Sequence, residues 1–178
     1  TQSTLSTVKT FLGLSSDRAY RRFYPAVDPL ISWSRYSKQL QPWYEAHLDT
    51  EWSEQVQASL DLLKRGDAVY QMMQVTGEEG ITLEDYVTWQ KAKFLDMVYV
   101  QQDAFDEVDS STPLDRQKES FQFIRLLLEK DYQFANREEA REFFTRLTDL
   151  YKNLNYSHPH SDEHTRYQQT IETLTNQF

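Results

Sequence analysis

Apolar positions recur at helical spacing along most of the chain. Leu30, Trp33, Tyr36 and Leu40 fall on one face of a helix that Asp28 caps and Pro29 opens, running up to Pro42. Trp52, Val56, Leu60, Leu63, Tyr70 and Met73 step by four, four, three, seven and three, which predicts a long amphipathic helix stopped by Gly77. Thr82-Leu-Glu-Asp85 resembles a capping box and opens a helix through Leu83, Val87, Phe94 and Val98, so the residues between become a tight hairpin tip. Thr112-Pro113 starts the next helix, with Pro at its first position and Phe121, Ile124 and Leu128 as its stripe. Asn136 caps another, whose Ala140, Phe143, Leu147, Leu150 and Leu154 form the most regular stripe in the sequence. A last helix is expected from about Ser161, with Tyr167, Ile171, Leu174 and Phe178 facing inward. Residues 8–12 read as a short strand end, and the segment through Tyr24-Pro25 as irregular. The predicted fold is all-α, a bundle of about six helices with a short extended N-terminal lead.

Composition supports that reading. The chain has 178 residues, and only nine are Gly or Pro, too few for the turns of an all-β fold. Aromatic residues make up 14%, which argues for a packed core despite a mean hydropathy of -0.75. Cysteine is absent, which excludes disulfides, thiolate metal sites and cysteine nucleophiles and fits a reducing compartment. No window approaches the roughly 18 apolar residues of a membrane span, and no basic segment followed by an apolar one stands at the start. The chain opens on Thr1 rather than Met, inside what reads as the tail of a strand, which predicts a piece of a longer polypeptide.

Charge is uneven. Of the 28 acidic residues, fifteen fall within residues 45–109 beside only four basic ones, whereas residues 1–44 are net basic. An acidic middle repels nucleic-acid phosphates and leaves two readings: a solvated face, or a handle for a basic protein partner. None of Gly13, Gly66, Gly77 and Gly80 sits in a phosphate-cradling pattern, so the fragment is no self-sufficient P-loop nucleotidase. His158, His160 and His164 have short metal-ligand spacing, but read better as a polar loop around Pro159 leading into a capped helix; no metal site is assigned. Asp103, Asp106, Glu107 and Asp109 alternate with Phe105 and Val108 and read as solvated charge. Phe23-Tyr24-Pro25 and Ala104-Phe105 fall in irregular segments, where a ring either joins the core or offers a flat face for stacking on a base.

Three segments occur in the order seen in rotary ATPase catalytic subunits: Tyr24-Pro-Ala-Val-Asp-Pro-Leu30 with Ser34-Arg35, Gly77-Glu-Glu-Gly-Ile-Thr-Leu-Glu-Asp85, and Gln101-Gln-Asp-Ala-Phe-Asp-Glu-Val-Asp109. With Ser32-Trp-Ser-Arg-Tyr36 and Pro42-Trp-Tyr44, they make the chain resemble, over about residues 7–130, the C-terminal helical domain of the catalytic A subunit of V-type or archaeal-type ATPases. The resemblance implies that Tyr24 and Phe105 face each other across the adenine of ATP, with Asp103 standing where the motif usually has Asn. It implies that Gly77, Glu78, Glu79, Gly80, Ile81, Glu84 and Asp85 form a hairpin contact with the central stalk, for which an acidic tip and a basic coiled coil are suitable partners.

The same resemblance makes residues 1–27 the end of a nucleotide-binding domain and its connection, and residues 28–178 the helical domain. The phosphate-binding Lys, the Mg²⁺ ligand and the catalytic Glu then lie upstream, so this fragment holds no catalytic residue and is expected to bind neither ATP nor Mg²⁺ alone. The implied partners are its own nucleotide-binding domain, B subunits in an alternating A3B3 ring and the central stalk. Nucleic acid is excluded, and the membrane sector is reached only indirectly. The implied place is the cytoplasmic side, peripheral to the membrane, in a complex that moves H⁺ or Na⁺. A free-standing acidic helical adaptor, with no nucleotide role, fits the composition and periodicity equally well.

Overall fold

The computed structural model describes residues 6–178; the strand tail expected at Thr1 lies outside the described residues. Two compact units divide the chain, residues 1–61 and residues 62–178. Seven α-helices and one two-stranded sheet are present among the described residues, so the all-α expectation holds.

In the first unit, β1 (Thr10–Phe11) pairs antiparallel with β2 (Trp33–Ser34), setting Thr10 opposite Ser34 and Phe11 opposite Trp33. Between them lies α1 (Ser16–Tyr20), capped by the Ser15 hydroxyl, which accepts the Arg18 N–H. Phe23 is buried, and the guanidinium groups of Arg18 and Arg21 sit over its ring, 4.6 and 5.4 Å from the centroid. The helix expected from Asp28 is not there. Its carboxylate accepts the Leu30 N–H at 2.9 Å and closes a turn instead. The Ser32 hydroxyl then accepts the Gly13 N–H, and the Trp33 ring stacks on Phe11, so pairing with a distant segment overrides the local helical period. The helix α2 begins at Ser37 and runs to His47, and Pro42 lies inside it rather than ending it.

Helix α3 (Trp52–Thr76) crosses the division between the units. Its buried line is Trp52, Gln55, Leu62, Leu63 and Val69, with Gly66 in the middle, whereas the expected Val56 and Tyr70 are exposed. Gly66 meets Ala92 of α4 (Leu83–Leu95): a Cβ on Gly66 would lie 2.2 Å from that of Ala92. Helix α4 is opened by the Thr82 hydroxyl, which accepts the Asp85 N–H at 3.0 Å, and continues into a wider π turn (Asp96–Val100).

The second unit is organised around α6 (Arg137–Tyr156), which packs on α4 and on α7 (Asp162–Thr175). Asn136 caps α6 by accepting the Glu139 N–H, and Glu139 reaches back to the Ala135 N–H. The buried stripe is Ala140, Phe143, Phe144, Leu147, Tyr151 and Leu154; Tyr151 replaces the expected Leu150, because its hydroxyl finds partners in the hydroxyl and carbonyl oxygen of Ser120. Helix α5 (Leu114–Glu129) follows Pro113, which stands one position before the first helical residue, and buries Leu127 rather than Leu128. Lys91 Nζ donates to the carbonyls of Leu128 and Lys130, both at 2.8 Å, and so satisfies the end of α5. Burial lowers the pKa of that ammonium, with Asp131 pulling the other way.

Candidate functional site

The Gln101–Asp109 motif forms a loop between the π turn and α5, and the sequence gives it little apolar material with which to hold itself. Its order comes from carboxylates accepting backbone N–H groups. Asp103 Oδ1 accepts from Phe105 at 3.0 Å, and Asp106 Oδ1 accepts from Val108 at 2.9 Å and Asp109 at 2.8 Å. Asp109 is 7% exposed and its Oδ2 accepts from Asp103 at 2.7 Å. Burial pushes the pKa of Asp109 up, while the Asp103 N–H and the Arg116 guanidinium favour its charge. Arg116 also donates to the carbonyls of Val108 and Asn155, tying the loop to the end of α6.

On this framework the Phe105 ring is 86% exposed. Tyr24, in the first unit, is 45% exposed. Both are exposed aromatic residues, and an aromatic ring is the group that stacking on a base requires. Asp103, half-buried, is approached by the Tyr156 hydroxyl at 3.5 Å.

The residues expected at the hairpin tip are brought together. Gly77 ends α3 with φ 76°, a left-handed conformation that favours glycine, and Glu78–Gly80 form a short 3₁₀ turn. Exposure divides them, however. Gly77, Glu78, Glu79, Gly80 and Glu84 are exposed, and Asp85 is half-buried with its backbone N–H in the Thr82 cap. Ile81 is 5% exposed and packs with Val69, Tyr86 and Ala140. It anchors the tip, because an apolar side chain at the base of the turn gains more from the core than from solvent.

Helix α6 braces the same tip. Arg137 donates to the Ile81 carbonyl, and Arg141 pairs with Glu78 while its Nε donates to the Tyr86 hydroxyl at 3.1 Å. Sequence reasoning missed these arginines, since nothing local to residues 137–141 points to residues 78–86. It also missed Val75, 87% exposed, and Met72, 49% exposed, on the last turns of α3. Apolar side chains left in solvent beside an acidic turn were the available signal.

Among the described residues, no group of three or more His, Asp and Glu side chains is placed to hold a metal ion. In the histidine loop, His160 adopts φ 62°, and the Ser161 hydroxyl accepts the His164 N–H to cap α7. Burial lowers the His164 imidazole pKa, and the nearby Arg116 and His160 lower it further. No helix among the described residues is long and apolar enough to cross a membrane.

Comparison with known proteins gives the geometry a context. A family profile described as the C-terminal domain of V and A type ATP synthase matches residues 41–153. A V-type ATP synthase alpha chain of Protochlamydia amoebophila is 42% identical over 156 residues, covering 88% of this chain and 26% of that protein. The V-type ATP synthase alpha chain of Chlamydia pneumoniae is 41% identical over 155 residues (87% of this chain, 26% of that protein). That of Treponema denticola is 39% identical over 157 residues (88% and 25%). The chain thus spans about a quarter of the length of these relatives. With a helical unit of this architecture, a profile over well over half its length and relatives near 40% identity, the chain belongs to the family of C-terminal domains of V- and A-type ATP synthases.

Proposed function

We propose that this chain is the lever domain of the catalytic subunit of a V/A-type rotary ATPase, coupling nucleotide occupancy to movement of a central stalk in a complex that carries H⁺ or Na⁺. Residues 1–27 end the nucleotide-binding domain and lead into the helical domain at 28–178. The observation that carries the proposal is the Phe105 ring, 86% exposed on a loop whose backbone is held by three carboxylates. An ordered loop that spends its hydrogen bonds on presenting an aromatic face to solvent is suited to an aromatic ligand. Tyr24 is the second aromatic residue assigned to adenine in this reading.

ATP with Mg²⁺, bound to the full subunit, supplies the free energy through phosphoryl transfer at groups outside this chain. This chain's own residues do two things. Phe105 stacks on the purine and excludes water from its face, and Tyr24 is a further aromatic contact to adenine. The tip from Gly77 to Asp85, braced through Arg137 and Arg141 to α6, carries a change in domain angle outward to the stalk. The A subunits alternate with B subunits in an A3B3 ring on the cytoplasmic side, peripheral to the membrane.

Equilibrium binding tests the reading. The full-length subunit is expected to bind ATP, Phe105→Ala to weaken it by about tenfold or more, and the 178-residue chain alone to bind it hardly at all; a base stack is worth ~1–3 kcal/mol. Unchanged affinity in Phe105→Ala, or tight binding by the fragment, contradicts the proposal.

A further inference from the structure

We infer that the buried carboxylate of Asp109 is a positioning residue for Phe105, acting through Asp103 to hold the ring in its binding orientation before nucleotide arrives. This inference rests on the nucleotide reading of Phe105 given above. Asp109 does not touch the ring. Its Oδ2 takes the Asp103 N–H at 2.7 Å, and Asp103 Oδ1 takes the Phe105 N–H at 3.0 Å, so two successive carboxylates link a buried group to the backbone of an exposed one. The return path is closed as well. Asp106 Oδ1 holds the Val108 and Asp109 N–H groups, the Asp106 N–H donates to the Asp103 carbonyl at 3.2 Å, and Arg116 holds the Val108 carbonyl at 3.2 Å.

Phe105 is 86% exposed, and the hydrogen bonds of the loop at residues 103–109 hold its backbone. Those to ionised acceptors are about twice as strong as neutral ones. A ring already fixed loses less conformational freedom on stacking, and that saving appears as affinity. Asp103 also becomes intelligible at the position where the resembling motif has Asn. The side-chain carbonyl of Asn accepts the same Phe105 N–H, so either residue keeps the turn.

Steady-state kinetics of ATP hydrolysis by the assembled complex tests the inference, with KM for ATP and kcat measured for Phe105→Ala, Asp109→Ala, Asp109→Asn, Asp103→Ala and Asp103→Asn. Asp109→Ala and Asp103→Ala are expected to raise KM by about three- to tenfold with a much smaller change in kcat, the size of one lost charge-assisted bond transmitted in part. Asp109→Asn and Asp103→Asn restore KM to within about twofold, because the amide oxygen still accepts the backbone N–H. If Phe105→Ala raises KM while both alanine variants at 103 and 109 leave it unchanged, the positioning role is wrong and the nucleotide reading stands. If Phe105→Ala itself leaves KM unchanged, the nucleotide reading falls and this inference falls with it. Should Asp109→Ala fail to assemble, Asp109→Leu decides by the same KM readout, since it keeps the buried volume and removes the acceptor for the Asp103 N–H.

Discussion

Phe143→Ala is expected to lower stability by about 3–5 kcal/mol, the range for removing a large buried aromatic side chain. Phe143 is 3% exposed at the middle of the α6 stripe. Its ring centroid lies 4.7 Å from that of Tyr132, 5.3 Å from Phe134, 5.0 Å from Phe144 and 5.0 Å from Phe178. Four rings in tilted and edge-on contact cannot all close on the space one of them vacates, so the cavity term adds to the lost transfer energy. The C-terminal Phe178 is held by this cluster and by its carbonyl, which accepts the Gln133 N–H, and is expected to fray in the variant. Urea unfolding followed by helical circular dichroism measures the change. A loss below about 1 kcal/mol would mean that the cluster repacks freely, contrary to a close-packed interior.

Gly66 yields the second large effect, and its sign separates two physical arguments. At an exposed helical position, Gly→Ala stabilises by up to ~1 kcal/mol through backbone entropy. At residue 66 the new methyl would stand 2.2 Å from Ala92 Cβ, with the Ala92 and Trp89 Cα atoms next at 3.7 and 3.8 Å. None of these is the far end of a flexible side chain, so helices α3 and α4 must separate. Gly66→Val is therefore expected to destabilise by about 2–3 kcal/mol, and Gly66→Ala to destabilise rather than stabilise. The double variant Gly66→Ala with Ala92→Gly returns most of the loss in the same unfolding assay, because the methyl merely changes helix. A stabilised Gly66→Ala single variant would show that the two helices do not approach as described.

Helix identity was legible wherever the apolar period and a cap agreed. Thr82, Asn136 and Ser161 were read as helix starts, and each accepts a backbone N–H from the residue three positions on. Reading failed where the partner was remote in sequence. Asp28 resembles an N-cap with Pro after it, but pairing of residues 10–11 with 33–34 draws the chain into a strand. On α3 the apolar count favoured Val56 and Tyr70 and overlooked Gln55 and Gly66, because close helix approach selects a small residue rather than an apolar one. On α6 the apolar period favoured Leu150, and the Ser120 partner buries Tyr151 instead.

The candidate site divides in the same way. The rings of Tyr24 and Phe105 and the acidic tip could be named from short motifs, since each is local in sequence. What holds them could not. Asp109 looked like one solvated carboxylate among several until its 7% exposure and its bond to Asp103 appeared. Arg137 and Arg141 carry no local signal of a tertiary role, and they reach residues more than fifty positions away. Ile81 belonged to the tip by sequence and to the core by packing.

The central claim is that nucleotide occupancy at one end of this domain moves the hairpin tip against a stalk. Cross-linking from the tip of the full-length subunit in the assembled complex tests it most directly. The chain has no cysteine of its own, so Val75→Cys, at a position 87% exposed beside Glu78 and Glu79, gives a single attachment point within it for a photoreactive maleimide. The account predicts a product with a basic, helical stalk subunit, whose yield differs between ATP-loaded and nucleotide-free complex and loses that difference in Phe105→Ala. No stalk product, or one whose yield is the same with and without nucleotide, would contradict the lever.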